Sequence, residues 1–192
     1  MSLDGYVTGP DPRPEAPLGD GGEQLHDWVT RLASWRARHG LEGGETGPDD
    51  ELLAATWTEG ASVMGRGMFD AGEGPWGDDP PFRVPVFVVT HRERPPLVKG
   101  ETTFTFVTDG VESAVAQARA AAQGRDVAVA GGADVARQCL AAGLLDEVTI
   151  HLVPIALGGG VRLFDAELGA CLEPAEAIAG DGVTHLRYRV AR

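Results

Sequence analysis

The chain has 192 residues, a hydrophobic content of 43% and a formal net charge of −13. These values are ordinary for a globular protein with a buried core, and we expect residues 1–192 to form a single domain. The acidic charge would repel a phosphate polymer, so nucleic acid is excluded as the expected partner. No apolar run is long enough to cross a membrane and no secretory signal opens the sequence, which predicts a cytoplasmic protein without a membrane role.

The first part of the chain predicts loops and helices. Residues 8–22 are rich in Pro, Gly and Asp and predict a loop. Residues 23–38 place apolar side chains at helical spacing and predict one helix with a buried stripe. The members of that stripe are Leu25, Trp28, Val29, Leu32 and Trp35. A polar loop over 41–48 and a short helix over 49–58 follow.

From residue 61 onward, apolar strands alternate with helices. The predicted strands cover 61–65, 84–90, 102–108, 126–130, 147–155 and 182–191, and the predicted helices cover 111–123 and 134–142. The run over 84–90 is apolar on both faces and therefore predicts a central strand. This alternation predicts an α/β fold with a mostly parallel sheet covered on both faces, and a last strand that can be antiparallel.

The sequence contains two cysteines, Cys139 and Cys171. Each lies in an apolar context, and their spacing is not that of metal ligands. We therefore predict two buried thiols, with no disulfide and no metal site.

Gly131 and Gly132 connect the strand over 126–130 to the helix that follows. A glycine turn at this place leaves backbone N–H groups free at a helix N-terminus, where the helix dipole favours an anion. Glycine also lets a ligand approach the backbone closely. The pair lacks the third glycine of a dinucleotide fingerprint and the Lys of a Walker loop, so a purely structural turn remains the alternative.

Two further strand ends carry groups that bind anions. One strand leads into Gly65 and Arg66, and the next ends in Thr90, His91 and Arg92. Because the carboxyl ends of parallel strands share one edge of a sheet, three such ends indicate a phosphorylated dinucleotide there. The alternative is that these cations are ordinary solvated surface charges.

Five segments in this order resemble the dihydrofolate-reductase-like superfamily: SLDGYVTG (2–9), VMGRGMFD (63–70), VFVVTHR (86–92), the run over 127–164 and the closing strand. The branch they resemble is the reductase domain of bifunctional riboflavin-biosynthesis enzymes and its stand-alone relatives. The resemblance implies a three-layer α/β/α fold that binds NADPH, and a homodimer in close relatives. A start at MSLDG leaves the first strand of that fold either missing or very short.

The resemblance also implies roles for particular residues. The implied pyrophosphate contacts are Gly131, Gly132, Ala133, Asp134 and Val135. The implied contacts of the adenosine half and of the ribose 2′-phosphate are Met64, Gly65, Arg66, Thr90, His91 and Arg92. The implied neighbours of the nicotinamide are Asp4, Val7 and Gly9, whereas 158–160 is expected to be a turn.

Reduction by NADPH also needs a proton donor, for which a carboxyl group with a raised pKa in an apolar pocket is suited. Asp27 and Asp4 are the predicted catalytic acids, with His26 as a third possibility. The alternatives are a solvated helix residue for Asp27 and a turn-forming residue for Asp4. Trp28 is predicted as a wall for a planar substrate, with a core position as its alternative.

The activity that the resemblance implies is reduction of a small pyrimidine-like or pteridine-like molecule, of the kind performed by 5-amino-6-(5-phosphoribosylamino)uracil reductase. Two other functions remain open at this point. One is a dihydrofolate reductase proper, and the other is a nucleotide-binding or dimerisation module without turnover.

Overall fold

The computed structural model describes residues 1–13, 15–165 and 169–191. It divides into two compact units, one made of Met1–Ala54 with Leu145–Arg192 and the other of Ala55–Leu144. That residues 1–192 act as a single domain stays a prediction. Among the described residues, no helix is both long and apolar enough to cross a lipid bilayer.

The helices and strands follow one another in this order along the chain: β1 (Tyr6–Thr8), a 3-10 helix (Gly22–Leu25), α1 (Asp27–Thr30), α2 (Ala33–Arg38), α3 (Pro48–Thr56), β2 (Ala61–Gly65), α4 (Arg66–Gly72), β3 (Val86–Val89), β4 (Leu97–Lys99), β5 (Thr102–Val107), α5 (Val111–Ala121), β6 (Val127–Gly131), α6 (Ala133–Ala141), β7 (Glu147–Leu152), β8 (Val161–Arg162), β9 (Leu172–Ala179) and β10 (Thr184–Val190).

A five-stranded sheet with the strand order β4-β5-β3-β2-β6 forms the unit Ala55–Leu144. Strands β5, β3, β2 and β6 are parallel, and β4 joins the edge antiparallel to β5. Strand β2 is buried along its whole length, as expected for a strand with neighbours on both sides and cover on both faces. The predicted α/β fold with a mostly parallel sheet is therefore confirmed.

An aromatic cluster fills one face of this sheet. Phe69 of α4 is completely buried and lies edge-on to Phe104 and Phe106, with ring centroids 5.1 Å apart in both pairs. Because side chains alternate along a strand, the sheet residues that share this face are Met64, Val86, Val88 and Phe104. Val63 and Phe87 point to the other face and are buried as well.

The unit made of Met1–Ala54 and Leu145–Arg192 contains a three-stranded antiparallel sheet with the order β7-β10-β9. The closing strand predicted over 182–191 is thus confirmed as antiparallel. Strand β9 was not predicted, because its sequence LEPAEAIA carries two acids and a proline. Such a composition is tolerated at the edge of a sheet, which is where β9 lies.

The first residues of the chain form an isolated β-bridge ahead of β1. Ser2 pairs in parallel with Val153 as an isolated bridge. The amide of Val153 donates to the Met1 carbonyl and the amide of Leu3 donates to the Ile155 carbonyl, both over 2.8 Å. Met1 and Leu3 are therefore joined by main-chain hydrogen bonds to the residues that follow β7.

The single helix predicted over 23–38 is wrong. The segment forms a 3-10 helix and two short α-helices, because Leu32 adopts an extended conformation with φ −72° and ψ 142°. There it bridges to Glu45, whose carbonyl accepts a hydrogen bond from Ala33 over 2.8 Å. Leu32 stays buried, but Trp35 leaves the predicted stripe and stacks on His39, with ring centroids 3.8 Å apart.

The two cysteines differ in burial. Cys139 is buried in α6, and this burial raises the pKa of its thiol to about 11. Cys171 is exposed, so the prediction of two buried thiols is wrong for this residue. It lies just before β9, which is an edge strand of its sheet in the part of the chain that the structure describes.

Candidate functional site

The Gly131–Gly132 turn leads from the end of β6 into the N-terminus of α6. Among the described residues, no side chain caps this helix, so its first amides keep their donors available, as helix N-termini do. A Cβ placed on Gly132 would have no atom within 4 Å among the described residues, so the space in front of the turn is open. An open space before uncapped amides at a helix N-terminus suits an anion.

Strand β2 brings a second strand end next to this turn. Strands β2 and β6 are parallel neighbours, and Met64 is paired in register with Gly131. A Cβ on Gly65 would lie 3.1 Å from Val135 Cγ2 and 3.6 Å from the Gly132 nitrogen. The structure therefore brings together the predicted pyrophosphate and adenosine-side residues, and Gly65 is what permits their close approach.

Asp134, in the first turn of α6, is the one acid among the predicted phosphate contacts. Its carboxylate accepts a hydrogen bond from Gln138 over 2.6 Å and lies 3.7 Å from the Arg137 guanidinium. The side chain is 75% exposed. An anion at this turn would thus meet the main chain of α6, since the carboxylate is engaged with its own helix.

Arg66 and Arg94 are held in place by acids and by aromatic rings. Arg66 Nε donates to Asp70 over 2.6 Å, and Arg94 makes a two-pronged ion pair with Glu73 over 2.6 and 3.0 Å. The Arg94 guanidinium also lies 5.2 and 5.1 Å from the Phe69 and Phe106 centroids, within cation–π range. Its hydrogen bond to Glu73 raises the pKa of Arg94 and lowers that of Glu73.

Arg92 is the cation of this region that is least engaged. Its side chain is 74% exposed, and its contact to Asp70 is long, at 3.9 Å. The Arg92 amide donates to the buried hydroxyl of Thr90 over 3.1 Å, which fixes the chain between them. Thr90 therefore positions Arg92, whereas His91 is exposed beside it.

Asp4, in the other unit, is a turn residue. Its carboxylate accepts hydrogen bonds from the amides of Gly158 over 2.7 Å and Leu157 over 3.1 Å. A hydrogen bond from the Ser2 hydroxyl, followed by those amides, lowers the pKa of Asp4 to about 2. That direction is the opposite of what a proton donor needs at neutral pH. The carboxylate instead secures the turn at 158–160, which agrees with its prediction as a turn.

Replacing Asp4 by Asn is expected to change the response of the protein to acid. Because the pKa of Asp4 is lowered from 3.8 to about 2 on folding, its contribution is present above the first value and is lost as pH falls toward the second. The parent should therefore show a steeper fall of the thermal unfolding midpoint in this window than Asp4→Asn. Parallel curves for the two proteins would contradict the assignment, and Asp11→Asn, at an exposed loop position, is the control.

Val7 and Gly9, the other two residues predicted near the nicotinamide, lie in β1 and just after it. A Cβ on Gly9 would collide with the main chain of Asp20. Gly9 thus has a structural reason to be glycine, because the loop over 8–22 folds back onto it through the hydrogen bond from its amide to the Leu18 carbonyl, 2.7 Å long.

The residues predicted for catalysis and substrate binding at the start of α1 differ in their exposure to solvent. Asp27 and His26 are exposed. Trp28 is buried and packs against two histidines, with its ring centroid 4.9 Å from that of His151 and 5.1 Å from that of His185. These two histidines escaped the sequence analysis, because only the pairing of β7 with β10 places them opposite one another.

Comparisons with known proteins identify the class. Residues 1–180 match the family described as the RibD C-terminal domain, and the chain belongs to this family. This match confirms the resemblance to the riboflavin-biosynthesis branch. No curated protein matches the chain.

Solved structures agree on the fold. A protein from Shewanella sp. PV-4 assigned to riboflavin biosynthesis is 22% identical, with a TM-score of 0.67 over 100% of this chain and 96% of that one. A pyrimidine reductase-like protein from Corynebacterium diphtheriae is 16% identical, with a TM-score of 0.54 over 77% and 83% of the two chains.

A longer relative shares the fold as well. The diaminohydroxyphosphoribosylaminopyrimidine deaminase/5-amino-6-(5-phosphoribosylamino)uracil reductase from Thermotoga maritima is 13% identical, with a TM-score of 0.61. The match covers 100% of this chain and 54% of the Thermotoga protein, so the chain spans about half of that enzyme.

Proposed function

We propose that the protein is an NADPH-dependent reductase of a small pyrimidine-like molecule, related to 5-amino-6-(5-phosphoribosylamino)uracil. Membership of the RibD C-terminal domain family supports a reductase-like role. The observation that supports NADPH as the cofactor is the open, uncapped N-terminus of α6 at Gly132. Gly65 lies close to this helix start. Main-chain donors with arginines nearby form a donor set that fits the phosphates of a dinucleotide.

The residues of the unit Ala55–Leu144 have distinct parts in this proposal. The amides that open α6 hold the pyrophosphate, and Gly65 allows the backbone to come close. Arg66 lies toward the adenosine half. Arg92, positioned by Thr90, recognises the ribose 2′-phosphate, together with the exposed His91.

The other unit carries the residues proposed to meet the reacting groups. Val7 and Gly9 border the nicotinamide, and Asp4 positions this segment through the turn that follows residue 156. When bound, NADPH supplies a hydride. The protein has to orient an electron-poor carbon of the substrate toward that hydride and to exclude competing water.

Replacing Arg92 by Gln is expected to weaken NADPH binding about 10- to 100-fold, because a charge-assisted hydrogen bond contributes about 1.5–3 kcal/mol. NADH, which lacks the 2′-phosphate, should bind equally well to both proteins. The measurement is a fluorescence titration of each cofactor. Arg125→Gln, at an exposed arginine of the same unit, is the matched control. An equal loss of affinity for NADPH and NADH would contradict the assignment of Arg92 to the 2′-phosphate.

Turnover tests the substrate. Oxidation of NADPH that depends on 5-amino-6-(5-phosphoribosylamino)uracil would support the reductase, whereas NADPH binding without turnover would favour a nucleotide-binding module. The observation behind this second candidate is that neither predicted acid occupies an apolar pocket, since Asp4 is held ionised and Asp27 is exposed. We also propose that the protein forms a homodimer. Its molar mass, measured by light scattering during size-exclusion chromatography, would test this.

A further inference from the structure

A buried chain of three polar side chains links α3, β10 and β7. His185 Nε2 lies 3.1 Å from Asp49 Oδ1, and His185 Nδ1 lies 2.7 Å from His151 Nδ1. His185 is 3% exposed and the Asp49 side chain 13%, so the hydrogen bonds among them are protected from water. His151 is partly exposed and forms the outer end of the chain.

The hydrogen bonds fix the tautomers of the two histidines. The Asp49 carboxylate can only accept, so His185 donates through Nε2–H. A neutral His185 then accepts at Nδ1, which makes His151 the donor through its own Nδ1–H. Within residues 1–13, 15–165 and 169–191, His151 Nε2 has no hydrogen-bond partner, and in this tautomer it carries the free lone pair.

One added proton can reverse the direction of the hydrogen bond between the two Nδ1 atoms. A proton that binds at His151 Nε2 allows the Nδ1 proton of His151 to pass to His185 Nδ1. The positive charge then rests on His185, beside the Asp49 carboxylate, and His151 becomes a neutral ring with Nε2–H. The contact between the two Nδ1 atoms therefore provides a path for one proton between the rings.

The surroundings disfavour a positive charge on the His151 ring. Burial, the neighbouring His185 and the N-terminal ammonium group lower the pKa of His151 to about 4. The N-terminal amino group of Met1 donates to the His151 carbonyl over 2.7 Å, and burial lowers the pKa of this group to about 6. The other charged groups that face the chain are Asp181, whose amide donates to Asp49 Oδ2, and Arg31, which pairs with Asp181 over 3.0 Å. A positive charge is therefore better accommodated on His185, beside the Asp49 carboxylate, than on His151.

His151 contacts two segments of its own unit that are proposed to lie on the substrate side. Its ring packs on Trp28, the predicted wall for a planar substrate. The main chain of residues 151–155 is hydrogen-bonded to the first residues of the SLDG segment, which is proposed to border the nicotinamide. Both predicted substrate-side segments of this unit therefore touch the element that carries His151.

We propose that Asp49, His185 and His151 form a proton-transfer chain, and that Nε2 of His151 gives the proton to the substrate. The second part rests on the reductase function proposed above. When the histidine pair is protonated and NADPH is bound, the cofactor would supply a hydride to the carbon of the substrate C=N or C=O bond and would be released as NADP⁺. The substrate nitrogen or oxygen gains the proton from His151 Nε2, and His151 Nδ1 recovers a proton from His185, so that both rings end neutral. His151 is then the catalytic residue, and His185 and Asp49 are positioning residues.

Nitrogen-15 spectra of the histidine rings test the chain without any substrate. At pH 7 we expect Nε2–H on His185 and Nδ1–H on His151, and on acidification both rings should move with one shared midpoint. Asp49→Asn should shift that midpoint down by at least about one pH unit, because the carboxylate no longer stabilises the charged ring. His39→Gln, at a histidine of the same unit stacked on Trp35, should leave it unchanged. Unrelated midpoints, or the same tautomer on both rings, would overturn the chain.

Kinetics test the donation of the proton. With NADPH and 5-amino-6-(5-phosphoribosylamino)uracil, His151→Gln should lower kcat at least about 100-fold with an unchanged Kd for NADPH. Asp49→Asn should displace the pH profile of kcat, and His39→Gln should match the parent. If the parent turns over and His151→Gln keeps its kcat and pH profile, the donor is wrong while the reductase stands. If the parent binds no NADPH, the proposed function fails and the donation with it, and the ring spectra of the parent still decide the chain.

Discussion

Replacing Gly132 by Val is expected to weaken NADPH binding at least about 100-fold, which corresponds to about 2.7 kcal/mol. Gly132 has φ −71° and ψ −171°, a conformation open to any residue, and a Cβ there meets no atom within 4 Å. The fold should therefore tolerate the valine. The added carbons occupy the space before the α6 amides that the pyrophosphate needs. Fluorescence titration gives the affinity and a thermal unfolding curve confirms the fold.

Gly74→Val is the matched control, because a Cβ on Gly74 also meets open space and the residue lies outside the α6 turn. It should bind NADPH as the parent does. Gly132→Ala should fall between the parent and Gly132→Val, because its side chain is smaller. Unchanged binding in a folded Gly132→Val protein would mean that the phosphates lie elsewhere.

Replacing Phe69 by Ala is expected to lower the free energy of unfolding by about 3–5 kcal/mol, as is common for a fully buried aromatic residue. Phe69 has no exposed surface and lies edge-on to Phe104 and Phe106. The loss combines removed apolar contacts, a cavity and the favourable geometry of the ring pairs. Urea denaturation followed by tryptophan fluorescence measures it.

Phe82→Ala makes the same chemical change at a half-buried ring next to the same cluster. It should lower the free energy of unfolding by less than Phe69→Ala does. Phe69→Leu should also cost less than Phe69→Ala, because it leaves a smaller cavity. A loss below about 1 kcal/mol for Phe69→Ala would contradict the place of this ring in the core. Arg66 and Arg94 also lie over this ring, so their positions are expected to loosen in the same variant.

The parallel sheet could be predicted from the sequence because its strands are short, almost wholly apolar runs separated by helices. Val86–Val89 and Thr102–Val107 were located within about two residues of their ends, an ordinary uncertainty for such boundaries. The prediction of a single helix over 23–38 was wrong. The apolar spacing of this segment is real, but a bridge from Leu32 to a distant residue, Glu45, overrides the local preference.

The candidate phosphate turn was visible because its signal is local: a strand, two glycines and a helix in succession. The chain of Asp49, His185 and His151 was not, since its members are separated by 136 and 34 positions in the sequence. The alternation over 182–191 grouped His185 with Arg187 and Arg189, which are exposed. The buried histidine differs from them in what covers it, since Asp49 lies 3.1 Å from its Nε2 and the Trp28 ring 5.1 Å from its ring centroid.

The outer strand β9 bears on how two copies of the protein could associate. Glu173, Pro174 and Glu176 are all exposed on this strand, and a proline offers no amide hydrogen to an incoming neighbour. Repulsion between equal negative charges would oppose the approach of the same strand from another molecule. A dimer built as one continuous β-sheet through β9 of both subunits is therefore disfavoured.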